Sequence, residues 1–235
     1  MSKKIGLFWL RDDFRITKNY GLIEATKNHD QVVVFYLYKK KKYDYQEAQK
    51  WWLGKSLINF QQTLNDLNIK LKIIKTDSFK VFFNNLFKKK NISIYWNKVY
   101  EPDYLKFDEY LSKNLITKNI PFKICKGNTL NEIDEIKKSD GTPFKVFTPF
   151  WRNAEKHFIE KIPPKEKIVK KCSKKINYFQ NSIDAIEILP KKQWFKNFES
   201  IWSPDEKSAL IELQNFIKNR IINYSDGRNF PNIIG

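Results

Sequence analysis

The chain reads as an α/β protein built on a doubly wound, five-stranded parallel sheet with helices on both faces. Two observations predict this. Short apolar runs alternate with amphipathic stretches of helical period along the first half of the sequence, the pattern of strand–helix–strand units with right-handed crossovers. The runs are near-continuously apolar, as in strands buried on both faces.

The first strand is Ile5 to Leu10, followed at once by Arg11-Asp12-Asp13-Phe14-Arg15 and an amphipathic stretch from Thr17 to about Asn28. Gln31 to Tyr38 is the second strand. A long helix from Glu47 to about Asn68 places Leu53, Leu57, Phe60, Leu64 and Leu67 on one face. Ile69 to Ile74 is the third strand, and Asp77 or Ser78 caps a helix whose apolar side is Val81, Phe82, Leu86 and Phe87. Ile92 to Trp96 is the fourth strand. Pro102 opens a helix carrying Leu105, Tyr110, Leu111 and Leu115, and Pro121 to Cys125 is the fifth strand.

Beyond the sheet, Asp140-Gly141 marks a turn. Phe150 to about Ile162 reads as a helix stopped by Pro163-Pro164. From Pro164 to about Ser200 no period survives, the pattern of a functional loop or interdomain linker. Ser203 then caps a helix with Pro204 as its first residue and Ala209, Leu210, Leu213, Phe216 and Ile217 as its buried side.

Composition bounds the function. The 235 residues are 41% hydrophobic and 16% aromatic, enough for a real core, and no apolar run approaches the ~18 residues of a membrane span. Met1 to Lys4 leads straight into a strand, with no room for a signal peptide. Cys125 and Cys172 lack metal-ligand spacing, which points to a reducing, cytoplasmic setting. The net charge of +18 invites nucleic acid, but only 5 of the 44 basic residues are arginines. The runs Lys39 to Lys42, Lys88 to Lys90 and Lys170-Lys171 read as solvated loops and helix ends. His29 and His157 have no zinc-like spacing, and no Gly-x-Gly-x-x-Gly, Gly-x-Ser-x-Gly or phosphate-loop pattern is present.

In open α/β sheets ligands bind beyond the carboxyl ends of the strands. Arg11 follows the first strand, Phe35, Tyr36 and Leu37 end the second, and Asn97 and Glu101 follow the fourth. These residues are therefore expected at one rim, with an apolar wall and polar groups suited to a flat heteroaromatic ligand.

Several motifs in order resemble the DNA photolyase/cryptochrome family. Trp9-Leu10-Arg11-Asp12-Asp13-Phe14-Arg15 is similar to Trp-Phe-Arg-Arg-Asp-Leu-Arg, and Ala48-Gln49-Lys50-Trp51-Trp52-Leu53 to Ala-Ser-Lys-Trp-Trp-Leu. Tyr95-Trp96-Asn97-Lys98-Val99-Tyr100-Glu101-Pro102 resembles Tyr-Trp-Asn-x-x-Tyr-Glu-Pro. The run from Gly141 to Arg152 resembles Gly-x-Pro-Tyr-Lys-Val-Phe-Thr-Pro-Phe-Trp-Lys and is expected to wrap as a rigid loop against the sheet. Tyr224-Ser225-Asp226-Gly227-Arg228-Asn229-Phe230-Pro231 resembles the Tyr-x-x-x-Arg-Asp-x-Pro that opens the family's flavin domain. Two departures bear on which chromophore binds: Asp12-Asp13 removes a positive charge from the ligand edge, and Phe107-Asp108 replaces an Arg-Asp on the helix after Glu101-Pro102.

The resemblance implies a Rossmann-like antenna domain at 1–162, a linker at 163–202, and at 203–235 the first helix of an all-α FAD-binding domain that continues beyond Gly235. It implies a light-driven deoxyribodipyrimidine photo-lyase, a carbon–carbon lyase repairing pyrimidine dimers, with this chain alone not competent for repair. Arg11, Phe35, Tyr36, Leu37, Asn97 and Glu101 would hold an antenna chromophore such as methenyltetrahydrofolate or 8-hydroxy-deazaflavin. Tyr224 would contact FAD and Arg228 damaged DNA. A monomer with no membrane partner is expected. Two other readings stay open: a cryptochrome-like photoreceptor, and a stand-alone α/β module binding a nucleotide-like ligand or a protein partner.

Overall fold

The computed structural model describes residues 4–39, 46–127, 129, 131–132, 135–160 and 169–232. Five strands, β1 (Ile5–Leu10), β2 (Val32–Tyr38), β3 (Lys70–Lys75), β4 (Ile92–Asn97) and β5 (Phe122–Cys125), form one sheet in the order β3-β2-β1-β4-β5. All four pairings are parallel. The winding reverses between β1 and β4, which makes their carboxyl ends the topological switch point.

Helices α1 (Tyr20–Asn28) and α2 (Glu47–Asp66) cover one face, where Phe8, Leu10, Val34 and Tyr36 pack with Leu22, Leu57 and Leu64. Helices α3 (Phe79–Leu86) and α4 (Pro102–Thr117) cover the other, where Leu7, Trp9, Phe35 and Leu37 meet Phe83, Leu111 and Leu115. The central strands β1, β2 and β4 are thus buried on both sides, the reason their sequences show no alternation, whereas edge strand β5 is exposed at Lys123 and Ile124.

Helix α3 is capped by Ser78, whose side chain accepts the Val81 N–H. Its apolar face is rotated from the expected one. Phe83 is fully buried, whereas Val81 is 60% exposed. With five apolar residues among eight, periodicity alone does not choose the buried side; the aromatic Trp9 opposite selects Phe83, at 4.9 Å between ring centroids.

Helix α5 (Phe147–Glu160) starts three residues before Phe150. Pro149 falls in its first turn, where a missing N–H costs nothing. The preceding turn carries Gly141 at φ 79°, a left-handed conformation suited to glycine. The stretch from Gly141 to Arg152 does not wrap against the sheet as expected. Val146, Phe147, Phe150 and Trp151 are exposed, and Phe147 stacks on Trp151 one turn on. The expected stop at Pro163-Pro164 lies outside the described residues, as do Lys40 to Lys42.

The segment from Val169 to Trp202 has little regular structure but packs closely. Ile183 bridges Ile73 on the edge strand β3, and a 3-10 turn, Ala185–Ile188, lies on α2. Gly54 permits this approach, since a Cβ there would sit 2.6 Å from Leu189. Val169, Cys172 and Ile188 join the first core, while Tyr178 and Phe179 pack on the second. The segment therefore straps both faces and covers an edge that would otherwise present unpaired backbone.

Helix α6 (Glu206–Asn219) begins two residues later than expected, because Asp205 caps it by accepting the Ser208 N–H at 2.8 Å. Its expected buried side is open: Leu210, Leu213 and Ile217 are exposed and Phe216 only half-buried. Glu206 ties the helix to the rim by accepting the Ile16 and Thr17 N–H groups at 2.7 and 2.9 Å. A final short helix, α7 (Tyr224–Gly227), follows.

Candidate functional site

A cleft of about 250 Å³ opens at the carboxyl ends of β1, β2 and β4. Its lining follows from topology. Leu10, Arg11 and Asp12 leave β1, Tyr36, Leu37 and Lys39 end β2, and Glu101 follows β4. Gln49, Phe79 and Tyr104 come from the first turns of α2, α3 and α4, which a parallel sheet places at the same edge.

Arg11, Tyr36, Leu37 and Glu101 are brought together as the sequence predicted. Arg11 is only 3% exposed, and its guanidinium forms a two-pronged pair with the Asp108 carboxylate, Nη1 lying 3.2 Å from Oδ2. The guanidinium carbon sits 4.1 Å from the Trp9 ring centroid and 4.8 Å from that of Tyr104. Its charge is thereby spent within the wall.

Glu101 occupies the N-cap position of α4, but its side chain makes no capping hydrogen bond. Its exposed carboxylate is available to the cleft. Desolvation, and then the neighbouring Glu101 and Asp13 charges, hold Asp12 above the usual carboxylate range. The cleft thus carries the carboxyl groups of Asp12 and Glu101 beside the Lys39 ammonium.

Two expected wall residues stand behind the cleft. Phe35 is fully buried on the α3 side of the sheet, against Phe82, Phe83 and Phe179. Asn97 is buried as well. Its Oδ1 accepts the Gly21 N–H at 2.7 Å, and its Nδ2 donates to Asn19 Oδ1 and to the Asp13 carboxylate. Tyr224 and Arg228 lie far along the chain on exposed surface. Tyr224 is 44% exposed, with the Arg228 guanidinium 5.8 Å from its ring centroid, and neither lines the cleft.

Sequence reasoning missed Trp9, Lys39, Gln49, Phe79 and Tyr104 as cleft residues, and Asp108 as the partner of Arg11. The usable signal was positional: the first residue after a strand and the first turn of the following helix share one edge. Among the described residues no group of three or more His, Cys, Asp or Glu is placed to hold a metal ion. Cys125 and Cys172 are buried free thiols, and burial pushes Cys125 up to about 11. No described helix is long and apolar enough to cross a membrane.

A family model described as DNA photolyase matches residues 6–167. The chain is 28% identical over 229 residues to a deoxyribodipyrimidine photo-lyase of Agrobacterium fabrum, covering 96% of this chain and 47% of that protein. It is 25% identical over 242 residues to Cryptochrome-2 of Arabidopsis thaliana, covering 100% of this chain and 39% of that one. The crystal structure of a bacterial class III photolyase from Agrobacterium tumefaciens matches it with a TM-score of 0.83 at 26% identity, covering 98% of this chain and 48% of that chain. The chain spans about half the length of the curated photolyases it matches.

Proposed function

The chain belongs to the DNA photolyase family, and from that premise we propose that it is the light-collecting α/β portion of a flavoprotein that repairs pyrimidine dimers in DNA. The observation that carries this reading is the rim cleft. It joins apolar side chains from β1 and β2 to a polar mouth in which the Glu101 carboxylate makes no capping hydrogen bond. A planar chromophore, a folate such as methenyltetrahydrofolate or a deazaflavin such as 8-hydroxy-deazaflavin, suits an apolar body with a few polar edges. Tyr36 and Leu37 supply the wall, Arg11 and Trp9 its floor, and Glu101 the acceptor for a ring N–H. Phe35 and Asn97 act from behind by fixing the strand ends.

In this reading FAD, when bound, would supply the electron chemistry of dimer repair. Tyr224 and Arg228 do not line this cleft, and their roles toward FAD and DNA rest on the family resemblance. In this reading residues 1–162 are the antenna domain, 163–202 a strap, and 203–235 the start of the flavin-binding portion, where Tyr224 meets FAD and Arg228 meets DNA. We place the protein in the cytoplasm, as a monomer.

Glu101→Ala tests the cleft. The variant is expected to bind the chromophore ten- to a hundredfold more weakly, the loss of a charge-assisted hydrogen bond worth ~1.5–3 kcal/mol, with an unchanged melting curve. Titration of folates, deazaflavins and flavins into both proteins reads the result. A fall in stability with binding intact would instead make Glu101 a helix-end residue.

DNA binding by this chain is expected to be weak and electrostatic, because its +18 charge is carried mostly by lysines. Affinity for an oligonucleotide should drop steeply between low and high salt, equally for intact and dimer-containing DNA. A preference for damaged DNA that survives high salt would contradict this.

A further inference from the structure

The rim cleft does not end at Tyr104. A second cavity of about 210 Å³ adjoins it and shares Lys39, Phe79 and Tyr104 with it, adding Ser78, Lys80, Asp103 and Phe107. Each space alone falls short of the ~300 Å³ at which ligand pockets begin, and together they exceed it. The Phe79 and Tyr104 rings, with centroids 6.3 Å apart, mark the boundary between the two spaces.

The two spaces differ in charge. The one over β1 carries Asp12 and Glu101, with Arg11 neutralised by Asp108. Lys39 lines both spaces, and Lys80 adds a second ammonium at the far end. Neither forms an ion pair with a described carboxylate. Lys39 Nζ rests 5.3 Å from the Phe79 ring centroid and Lys80 Nζ 4.9 Å from that of Tyr110. The rings hold these cations at the wall while leaving their hydrogen-bonding capacity free. Asp103 shares the wall but is engaged in an interaction of its own.

We propose that this second lobe takes the anionic tail of the chromophore, a phosphoryl or carboxylate group, so that the ring lies in the rim cleft and the tail reaches Lys39 and Lys80. The inference rests on the chromophore reading of the cleft. It selects among planar ligands by their tails: a ring without an anionic tail leaves both ammonium groups unused.

Paired ligands test this on the full 235-residue chain. Riboflavin and FMN share a ring and differ by a phosphate; 6-hydroxymethylpterin and folic acid share a pterin ring, and only folic acid carries carboxylates. Inorganic pyrophosphate probes the lobe without any ring. The tailed member of at least one pair should bind wild type about tenfold or more tightly, with the flavin pair reporting phosphate and the folate pair carboxylate. Lys80 lies outside the ring cleft. Lys80→Gln should shrink the preference to a few-fold and Lys80→Glu abolish it, with riboflavin and 6-hydroxymethylpterin bound as before. Pyrophosphate should bind saturably to wild type and not to Lys80→Glu. Equal binding of tailed and tailless partners would overturn the lobe while the ring cleft stands. Binding of pyrophosphate without any ring compound would support the lobe and remove the chromophore reading. Failure of every probe would overturn both.

Discussion

Asp108→Ala is expected to destabilise the domain by about 3–5 kcal/mol, the cost of leaving a buried guanidinium without its counter-charge. Arg11 and Asp108 are 3% and 6% exposed, and 97 positions separate them in sequence. The pair joins the loop after β1 to the middle of α4 directly beneath the cleft. The rings of Trp9 and Tyr104 exclude the water that would otherwise solvate Arg11 once the carboxylate is gone. Urea unfolding of wild type, Asp108→Ala and the double variant Arg11→Met/Asp108→Leu separates a charge effect from a void. The double variant replaces both charges with apolar groups and should recover most of the loss, since well-packed hydrophobes match or exceed a buried ion pair. A loss below about 1 kcal/mol in Asp108→Ala would mean that water reaches the pair.

Asp108 also shows where a single chain of letters stops being informative. The five strands are legible because each is a short apolar run bounded by charges, and a strand buried on both faces needs no further pattern. Their parallel order follows from the intervening helices. That order places Arg11, Tyr36, Leu37 and Glu101 at one edge. What was hidden is which side chain finds which partner across the sheet. Phe35 shares its face with Leu37, which lines the cleft, but sits two residues deeper in β2, and sequence does not say how far down the strand the cleft reaches. From sequence the Phe107-Asp108 pair reads as a lost arginine on the helix after Glu101-Pro102. In the fold Asp108 compensates the arginine on β1, and Phe107 packs on Trp9 at 5.8 Å between centroids. The apolar side of α6 has the same origin. Its spacing announces a buried stripe, yet Leu210, Leu213 and Ile217 are exposed among the described residues, because helical period reports an apolar face and not what covers it. The strap from Val169 to Trp202 lacks period because its contacts with α2 and β3 are made residue by residue.

Asn97→Leu is expected to cost about 2–4 kcal/mol and to make stability steeply pH-dependent. Asn97 is 4% exposed, and its amide is the junction of three elements at the switch point. It accepts the Gly21 N–H of α1 and donates to Asn19, which caps the same helix by accepting the Leu22 N–H at 3.2 Å. It also donates to the Asp13 carboxylate in the loop after β1. Leucine keeps the volume and abandons all three bonds, leaving buried donors and acceptors unmatched. The pH dependence comes from Asp13. Burial already holds its carboxyl above the usual range, and the Asn97 hydrogen bond is the largest influence pulling it back down. A carboxyl whose folded pKa is raised binds its proton more tightly when folded. Its stabilising share is therefore complete below the unfolded value and is lost as pH rises through the folded one. Removing Asn97 lifts the folded value further, so the deficit of Asn97→Leu should be smallest in acid and grow toward neutral pH. Urea midpoints of both proteins across that range, with chromophore titration at neutral pH, test the assignment. A pH-independent deficit would remove Asp13 from the account. Full stability with weakened chromophore binding would return Asn97 to the ligand wall, where sequence alone had placed it.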